Sequence, residues 1–131
     1  MGYEYSRICK IDNGSRIAIP ICFKEWQSGT SVVIQCNYNL GYCCILQITD
    51  VDYYFDQVEA EIGGEVEKAR VFFGTTCASE IDARRRLKIP ETLFKNLFSN
   101  DEVLLINFRG SRLEVWDPES WRRYCRRKQA D

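Results

Sequence analysis

The chain has 131 residues, of which 45% are hydrophobic and 13% aromatic, so it can bury a real core and is too apolar to be disordered throughout. Its longest apolar run, around Leu40–Ile48, is too short to span a membrane, and the N-terminus lacks the basic and apolar stretches of a signal peptide. Because the formal net charge is −1, the composition alone does not indicate a nucleic-acid partner. We therefore expect a soluble, cytoplasmic protein with no membrane contact.

Cysteine and histidine content excludes several kinds of site. The chain has no histidine, so neither a Ser-His-Asp nor a Cys-His nucleophile can be assembled, and the usual zinc sites lack a ligand. The cysteines are odd in number and include no C-x-x-C pair, which favours reduced thiols. We predict no metal, no cofactor and no catalytic residue, and an acid/base enzyme with a buried carboxylate pair stays open as an alternative. The seven thiols are Cys9, Cys22, Cys36, Cys43, Cys44, Cys77 and Cys125.

The first predicted element is a hairpin with a short tip. A strand leads into Asp12, and three residues later a second strand begins. In that strand Ile17 and Ile19 alternate with Arg16 and Ala18, as a half-buried strand requires. The alternation places Arg16 and Ala18 on the face opposite the two isoleucines.

A short helix, a second hairpin and a longer helix follow. The segment Phe23–Trp26 continues a helix that begins just before it. The β-rich runs Ser31–Cys36 and Cys43–Ile48 flank a turn and predict a hairpin. Thr49 is predicted to cap a helix over Asp50–Ile62.

The second half of the chain repeats the first motif. Lys10–Pro20 reads KIDNGSRIAIP, and Glu80–Pro90, which lies 70 positions later, reads EIDARRRLKIP. Six of ten positions coincide in the pattern I-D-x-x-x-R-[IL]-x-I-P, which is too many for chance. We expect Pro20 and Pro90 to open a short helix at its first position, where the missing N–H costs nothing.

The elements after the second motif keep the order of the first half. A helical segment over Glu65–Phe73 is predicted to link the two halves. The sequence thus predicts an α+β fold in which two repeated hairpin-helix units form one pseudo-twofold body. The first repeat spans 1–62, the linker 63–79, and the second repeat with its C-terminal helix 80–131. The remaining predicted elements are a helix over Glu91–Phe98, strands Val103–Phe108 and Arg112–Trp116 around the turn Arg109-Gly110-Ser111, and a helix Pro118–Lys128 capped by Asp117.

The two motifs resemble the paired D-x-x-x-R motifs of the MraZ family of bacterial transcriptional regulators. That family is built from two copies of the small β-rich DNA-binding domain also found in AbrB and SpoVT. The stretch Glu114–Tyr124, reading EVWDPESWRRY, is similar to the family's C-terminal strand and helix, and Ala69–Phe73 lies where the family has an Arg-Phe linker. The resemblance covers nearly the whole chain.

This resemblance implies a fold, a partner and an assembly. The expected fold is a swapped-hairpin, β-barrel-like α+β domain of the AbrB and MraZ type. The expected partners are double-stranded DNA, with direct repeats in a promoter, and other copies of the chain in a homo-oligomeric ring. Association with the nucleoid follows from the same expectation.

Candidate DNA-binding residues lie at the motif tips. Exposed arginines at a hairpin tip can grip phosphates in bidentate fashion and read guanine edges. The densest basic group, residues 84–88, also admits a plainer interpretation, in which one arginine pairs with Asp82 and the others are solvated. The repeat favours a functional interpretation, with Arg16 and Arg86 as principal contacts. The supporting contacts are Lys10, Arg84 and Arg85.

The motif carboxylates Asp12 and Asp82 are assigned a structural role, because a carboxylate facing phosphate would repel it. We expect them to accept turn N–H groups or to orient the motif arginines. The family usually has glycine just before the motif arginine, whereas Ser15 and Arg85 stand there. A bulky residue at positive φ is strained, so we expect an altered second tip and expect Gly14 to make the turn in the first.

Charge is unevenly distributed along the chain. Residues 1–70 carry 6 basic and 10 acidic side chains, whereas residues 71–131 carry 12 basic and 9 acidic ones. The acidic run from Asp50 to Glu67 is interpreted as a solvated helix face, with pairing to a neighbouring subunit as the alternative. The basic C-terminal helix is explained by the helix dipole, with DNA contact as its alternative. An interaction module that kept the fold without DNA binding is the alternative function.

Overall fold

The computed structural model describes residues 5–20, 23–109 and 112–130. Its elements form an α+β protein, as predicted, with antiparallel strands and helices of 7 to 13 residues. Within the described ranges the strands are β1 Ser6–Lys10, β2 Arg16–Ala18, β3 Ser31–Asn37, β4 Tyr42–Gln47, β5 Thr76–Glu80, β6 Arg86–Lys88, β7 Glu102–Asn107 and β8 Leu113–Trp116. The helices are α1 Val51–Ile62, α2 Val66–Gly74, α3 Glu91–Leu97 and α4 Pro118–Ala130.

The strands form two sheets. Six of them pair in the order β1-β7-β8-β4-β3-β5, and β2 pairs with β6 in a separate two-stranded ribbon. The counterparts in the two repeats are β1 and β5, β3 and β7, and β4 and β8. Exchanging each strand for its counterpart gives the same order read from the opposite edge of the sheet, which is the pattern of a pseudo-twofold axis. Among the described residues no pairing joins the edge strands β1 and β5, so a closed barrel is not observed.

The prediction that the two strands of each motif form a hairpin is wrong, because these strands do not pair with each other. Strand β1 pairs with β7 of the second repeat, and β5 pairs with β3 of the first. Alternation along a strand determines which face is buried, but it does not specify the neighbouring strand. The two repeats are therefore interlocked through both sheets.

The hydrophobic core includes the inward face of the ribbon and one face of the large sheet. Ile17 and Leu87 lie opposite each other in the β2–β6 pair, and both are fully buried. Ile34 and Ile45 pair across β3 and β4 in the same core. Complete burial of an aliphatic side chain contributes about 1.5–3 kcal/mol, so these four anchor the ribbon on the sheet.

Helix α4 packs on the other face of the sheet through aromatic side chains. The rings of Tyr42 and Trp116 stack at 4.5 Å, and Trp121 of α4 meets Trp116 at 5.0 Å.

Asp117 precedes α4 as predicted, and burial acts to raise its pKa. Hydrogen bonds from Ser99 and Ser120 outweigh burial and lower the pKa of Asp117, so this buried carboxylate is charged.

Three helix predictions are corrected. The N-cap of α1 is Asp50, whose carboxylate accepts a hydrogen bond from the Tyr53 N–H, and not Thr49. The Trp26 N–H donates to the Phe23 carbonyl, only three residues back, so residues 23–26 form turns and no helix. Pro90 is the residue before α3 and not its first position. The helices predicted over 65–73, 91–98 and 118–128 are confirmed within two residues.

Six cysteines are free thiols, and Cys22 lies outside the described residues, as do Gly110 and Ser111 of the predicted turn. Across the described ranges, the helices are all too short or too polar to cross a bilayer.

Candidate nucleic-acid interface

The two motif tips have the same backbone conformation. In the first tip the Ser15 N–H donates to the Asp12 carbonyl at 3.0 Å, and in the second the Arg85 N–H donates to the Asp82 carbonyl at 3.0 Å. Ser15 has φ of 59° and Arg85 has φ of 55°. The expectation that Gly14 makes the first turn is wrong, because the left-handed residue is Ser15. Each repeat thus places a non-glycine residue in a conformation that glycine adopts without strain.

The Arg85 side chain compensates for this strain by bonding to the first repeat. Its Nη2 donates to the Phe23 carbonyl at 2.9 Å, and its Nε donates to the Trp26 carbonyl at 3.3 Å. The guanidinium therefore lies against the 23–26 turns, where its charge is partly buried. Among the hydrogen bonds of the described residues, those of Arg85 are the ones that join a predicted contact side chain to main-chain carbonyls.

The motif aspartates organise the tips from inside. Asp12 Oδ1 accepts hydrogen bonds from the N–H groups of Gly14 at 2.8 Å and Arg16 at 3.0 Å. Asp82 Oδ1 accepts from the N–H groups of Arg84 and Arg86, both at 2.8 Å. These backbone hydrogen bonds, that from the motif arginine first, lower the pKa of both carboxyls. Both groups are consequently anionic beside the motif arginines.

The motif arginines converge on one carboxylate oxygen. Arg86 Nη1 lies 3.2 Å from Asp12 Oδ2, and Arg16 Nη1 lies 3.7 Å from the same atom. Arg86 also places Nε 3.4 Å from Asp82 Oδ2, so it bridges the two repeats. The Arg86 side chain is 30% exposed and that of Arg16 is 38% exposed. The two principal candidates therefore lie side by side, with Arg86 held more firmly.

A local difference between the tips accounts for this asymmetry. A Cβ at Gly14 would lie 2.6 Å from Arg16 Nη1, so the glycine leaves room for the Arg16 side chain over its own turn. Arg84 occupies the equivalent position of the second tip, and there Arg86 reaches across to Asp12.

The antiparallel ribbon adds a cation that the sequence-based site assignment omitted. Arg16 lies opposite Lys88 in the β2–β6 pair, and Ala18 lies opposite Arg86. Directly opposed residues point to the same face with Cβ atoms about 5 Å apart, so Lys88 joins Arg16 and Arg86 on the outer face. Lys88 was part of the basic run, but only the cross-strand register shows that it neighbours Arg16. Lys10 and Arg84 are exposed, Lys10 at the end of β1 opposite Glu102.

Comparison with known proteins gives one family. A family model described as "MraZ protein, putative antitoxin-like" matches residues 72–131. A protein of Caldicellulosiruptor saccharolyticus named "Transcriptional regulator MraZ" is 35% identical over 127 residues, which cover 92% of this chain and 82% of that protein. Proteins of the same name from Nocardioides sp. and Carboxydothermus hydrogenoformans are 29% and 27% identical, covering 92% and 97% of this chain and 84% and 87% of theirs.

Proposed function

The chain belongs to the MraZ family, and on that premise we propose that it is a transcriptional regulator that binds double-stranded DNA in a sequence-specific manner. The observation that carries the proposal is the convergence of Arg16 and Arg86 on Asp12, beside Lys88, on the outer face of the β2–β6 ribbon. A two-stranded ribbon fits the DNA major groove, where arginine reads guanine through two parallel hydrogen bonds.

We assign each tip residue a role on this basis. Arg16 and Arg86 are the principal DNA contacts, and Lys10 and Arg84 support them through phosphates. Arg85 contributes by holding the second tip against the 23–26 turns, since its guanidinium is engaged there. The residues that shape the motif without touching DNA are Asp12, Asp82, Pro20 and Pro90.

Self-association belongs to the same proposal. A subunit with a formal net charge of −1 attracts DNA weakly, so several subunits on promoter direct repeats gain avidity that one subunit lacks. Edge strand β1 supports this, because Ile8 is 54% exposed and the adjoining Tyr5 is 45% exposed. The proposed state is a homo-oligomeric ring bound to DNA in the nucleoid, each subunit comprising repeats 1–62 and 80–131.

A gel shift with direct-repeat DNA from upstream of the protein's own gene tests the proposal. Arg16→Ala and Arg86→Ala should each weaken binding by about 1–3 kcal/mol, or roughly 5- to 150-fold. Arg70→Ala is the matched control, because Arg70 is an exposed arginine of α2 that pairs with Glu67. Affinity should also fall steeply with salt through counterion release. Folded variants that bind as tightly as the control would contradict the assigned contacts.

The second candidate is an interaction module that kept the fold without DNA binding. Ser15 and Arg85 in place of the family's glycine favour it, as does the engagement of Arg86 by two carboxylates. Retention on heparin followed by the gel shift separates the candidates, because this module would show neither.

A further inference from the structure

Helices α1 and α4 occupy equivalent places in the two repeats but carry opposite charge. Each follows the hairpin of its repeat, α1 after the β3–β4 hairpin and α4 after the β7–β8 hairpin. Helix α1 contains four carboxylates and no basic residue, for a charge of −4. Helix α4 contains five basic residues and Glu119, for a charge of +4. The two charges are equal in size and opposite in sign.

These charges face solvent and are mostly not neutralised within the chain. Asp52, Asp56 and Glu59 follow an i, i+4, i+7 spacing, which aligns them on one helix face. All three are exposed, and the ion pairs found among the described residues do not include them. In α4 the exposed Arg126 and Arg127 are likewise outside those pairs, whereas Arg122 pairs with Glu119.

The two helices sit over different halves of the sheet. Helix α1 packs against β3 and α4 against β7, and strands β8 and β4 lie between them. Three strand spacings amount to about 14 Å, which exceeds the Debye length of about 8 Å at physiological ionic strength. The attraction between the acidic and basic helices of one copy is therefore largely screened.

Exposed apolar surface borders the acidic helix. None of the residues of α1 or α2, all of which are described, is buried. Tyr53 of α1 is 59% exposed, and Val66 and Val71 of α2 are 63% and 65% exposed. Apolar side chains rimmed by charge are typical of a protein interaction surface.

We propose that α1 of one copy docks on α4 of a second copy in a head-to-tail contact. A symmetric contact of α1 with α1 would oppose two charges of −4, whereas α1 with α4 pairs carboxylates with guanidinium groups. The contact is heterologous because it joins two different surfaces, α1 and α4. Since each copy carries both surfaces, every added copy leaves one α1 surface and one α4 surface open for further copies. The proposal rests on the self-association part of the proposed function and names the surfaces responsible.

Charge reversal in two separate chains tests this contact. One chain carries Asp56→Lys with Glu59→Lys, and the other carries Arg126→Glu with Arg127→Glu. Light scattering should give each chain alone a mass near the 15.3 kDa of a single copy. An equimolar mixture should recover the mass of the unaltered protein, because the unaltered α1 and α4 of the two chains meet and the two altered helices carry opposite charges at the substituted positions. The matched controls reverse the exposed pairs Glu25 with Glu91 and Lys24 with Lys95, and should leave the mass unchanged.

Rescue in the mixture separates a lost contact from a lost fold, and melting curves of each chain confirm that it is folded. Reversed chains that keep the mass of the unaltered protein, or a mixture that stays at the single-chain mass, would overturn the contact. So would Arg126→Glu with Arg127→Glu weakening DNA binding at unchanged mass, since α4 would then be a DNA surface. A gel shift of the unaltered protein tests DNA binding separately, so failure of this interface is distinguishable from failure of the proposed function.

Discussion

Replacing Arg85 by alanine and by glycine separates the cost of its backbone from the contribution of its side chain. Alanine removes the guanidinium and keeps the strained φ of 55°, whereas glycine removes both. Ser15→Gly is the matched control, because Ser15 has φ of 59° at the same place in the first tip.

The magnitudes follow from the two hydrogen bonds and the left-handed backbone. A charged hydrogen bond contributes about 1.5–3 kcal/mol when well formed, and the bonds of 2.9 and 3.3 Å are partly exposed, which reduces their combined contribution to about 2–3 kcal/mol. Arg85→Ala should lose this amount. Arg85→Gly loses the same hydrogen bonds, but relief of the left-handed strain returns about 1–2 kcal/mol to the free energy of unfolding. The freer unfolded chain of the glycine variant costs about 0.4–1 kcal/mol. Its net loss is therefore about 1–2 kcal/mol, while Ser15→Gly should gain about 0.5–1 kcal/mol.

Thermal unfolding at neutral pH measures the order directly. The Tm should fall in the order Ser15→Gly, unaltered protein, Arg85→Gly, Arg85→Ala, since about 1 kcal/mol corresponds to roughly 3–5 °C in a chain of this size. An Arg85→Gly protein that melts above the unaltered protein would show that strain outweighs the guanidinium bonds. An Arg85→Ala protein with unchanged Tm would refute the role assigned to those bonds.

Four further outcomes are expected. The folded-state pKa of Asp117 lies below its unfolded value, so the ionised carboxylate contributes fully to stability above about pH 4, and this contribution is lost as the pH falls through the folded pKa. Melting curves should therefore show that Asp117→Asn loses stability less steeply than the unaltered protein below about pH 4. An equal slope for the two proteins would argue against this linkage. Burial raises the pKa of Cys44 and of Cys77 to about 11, so both should react slowly with Ellman's reagent in the native protein at pH 8. After denaturation without reductant all seven thiols should react, and thiols that appear only after reduction would contradict the reduced state. Trp26→Ala should cost about 3–5 kcal/mol in urea unfolding, because Trp26 is 1% exposed in the core; a loss under 1 kcal/mol would show that the site collapses.

Local patterns in the sequence determined most of the elements and the identity of the buried face. Alternation marked Ile17, Ile19, Leu87 and Ile89 as inward, and all four are at most 4% exposed. The match at an offset of 70 residues indicated two equivalent units, which the mirrored strand order shows. These features depend on residues near each other in the chain, and a single sequence carries that information directly.

Only the tertiary structure decided which strands pair and where the motif side chains point. Strand β1 pairs with β7 about 95 residues away, and β2 pairs with β6 about 70 residues away, because burial specifies a face and not a partner. The same interlocking brings Arg86 of the second repeat to Asp12 of the first, and turns Arg85 from a free cation into a donor to Phe23 and Trp26. Contacts of this kind depend on the summed packing of both repeats, which a residue's sequence neighbours do not encode.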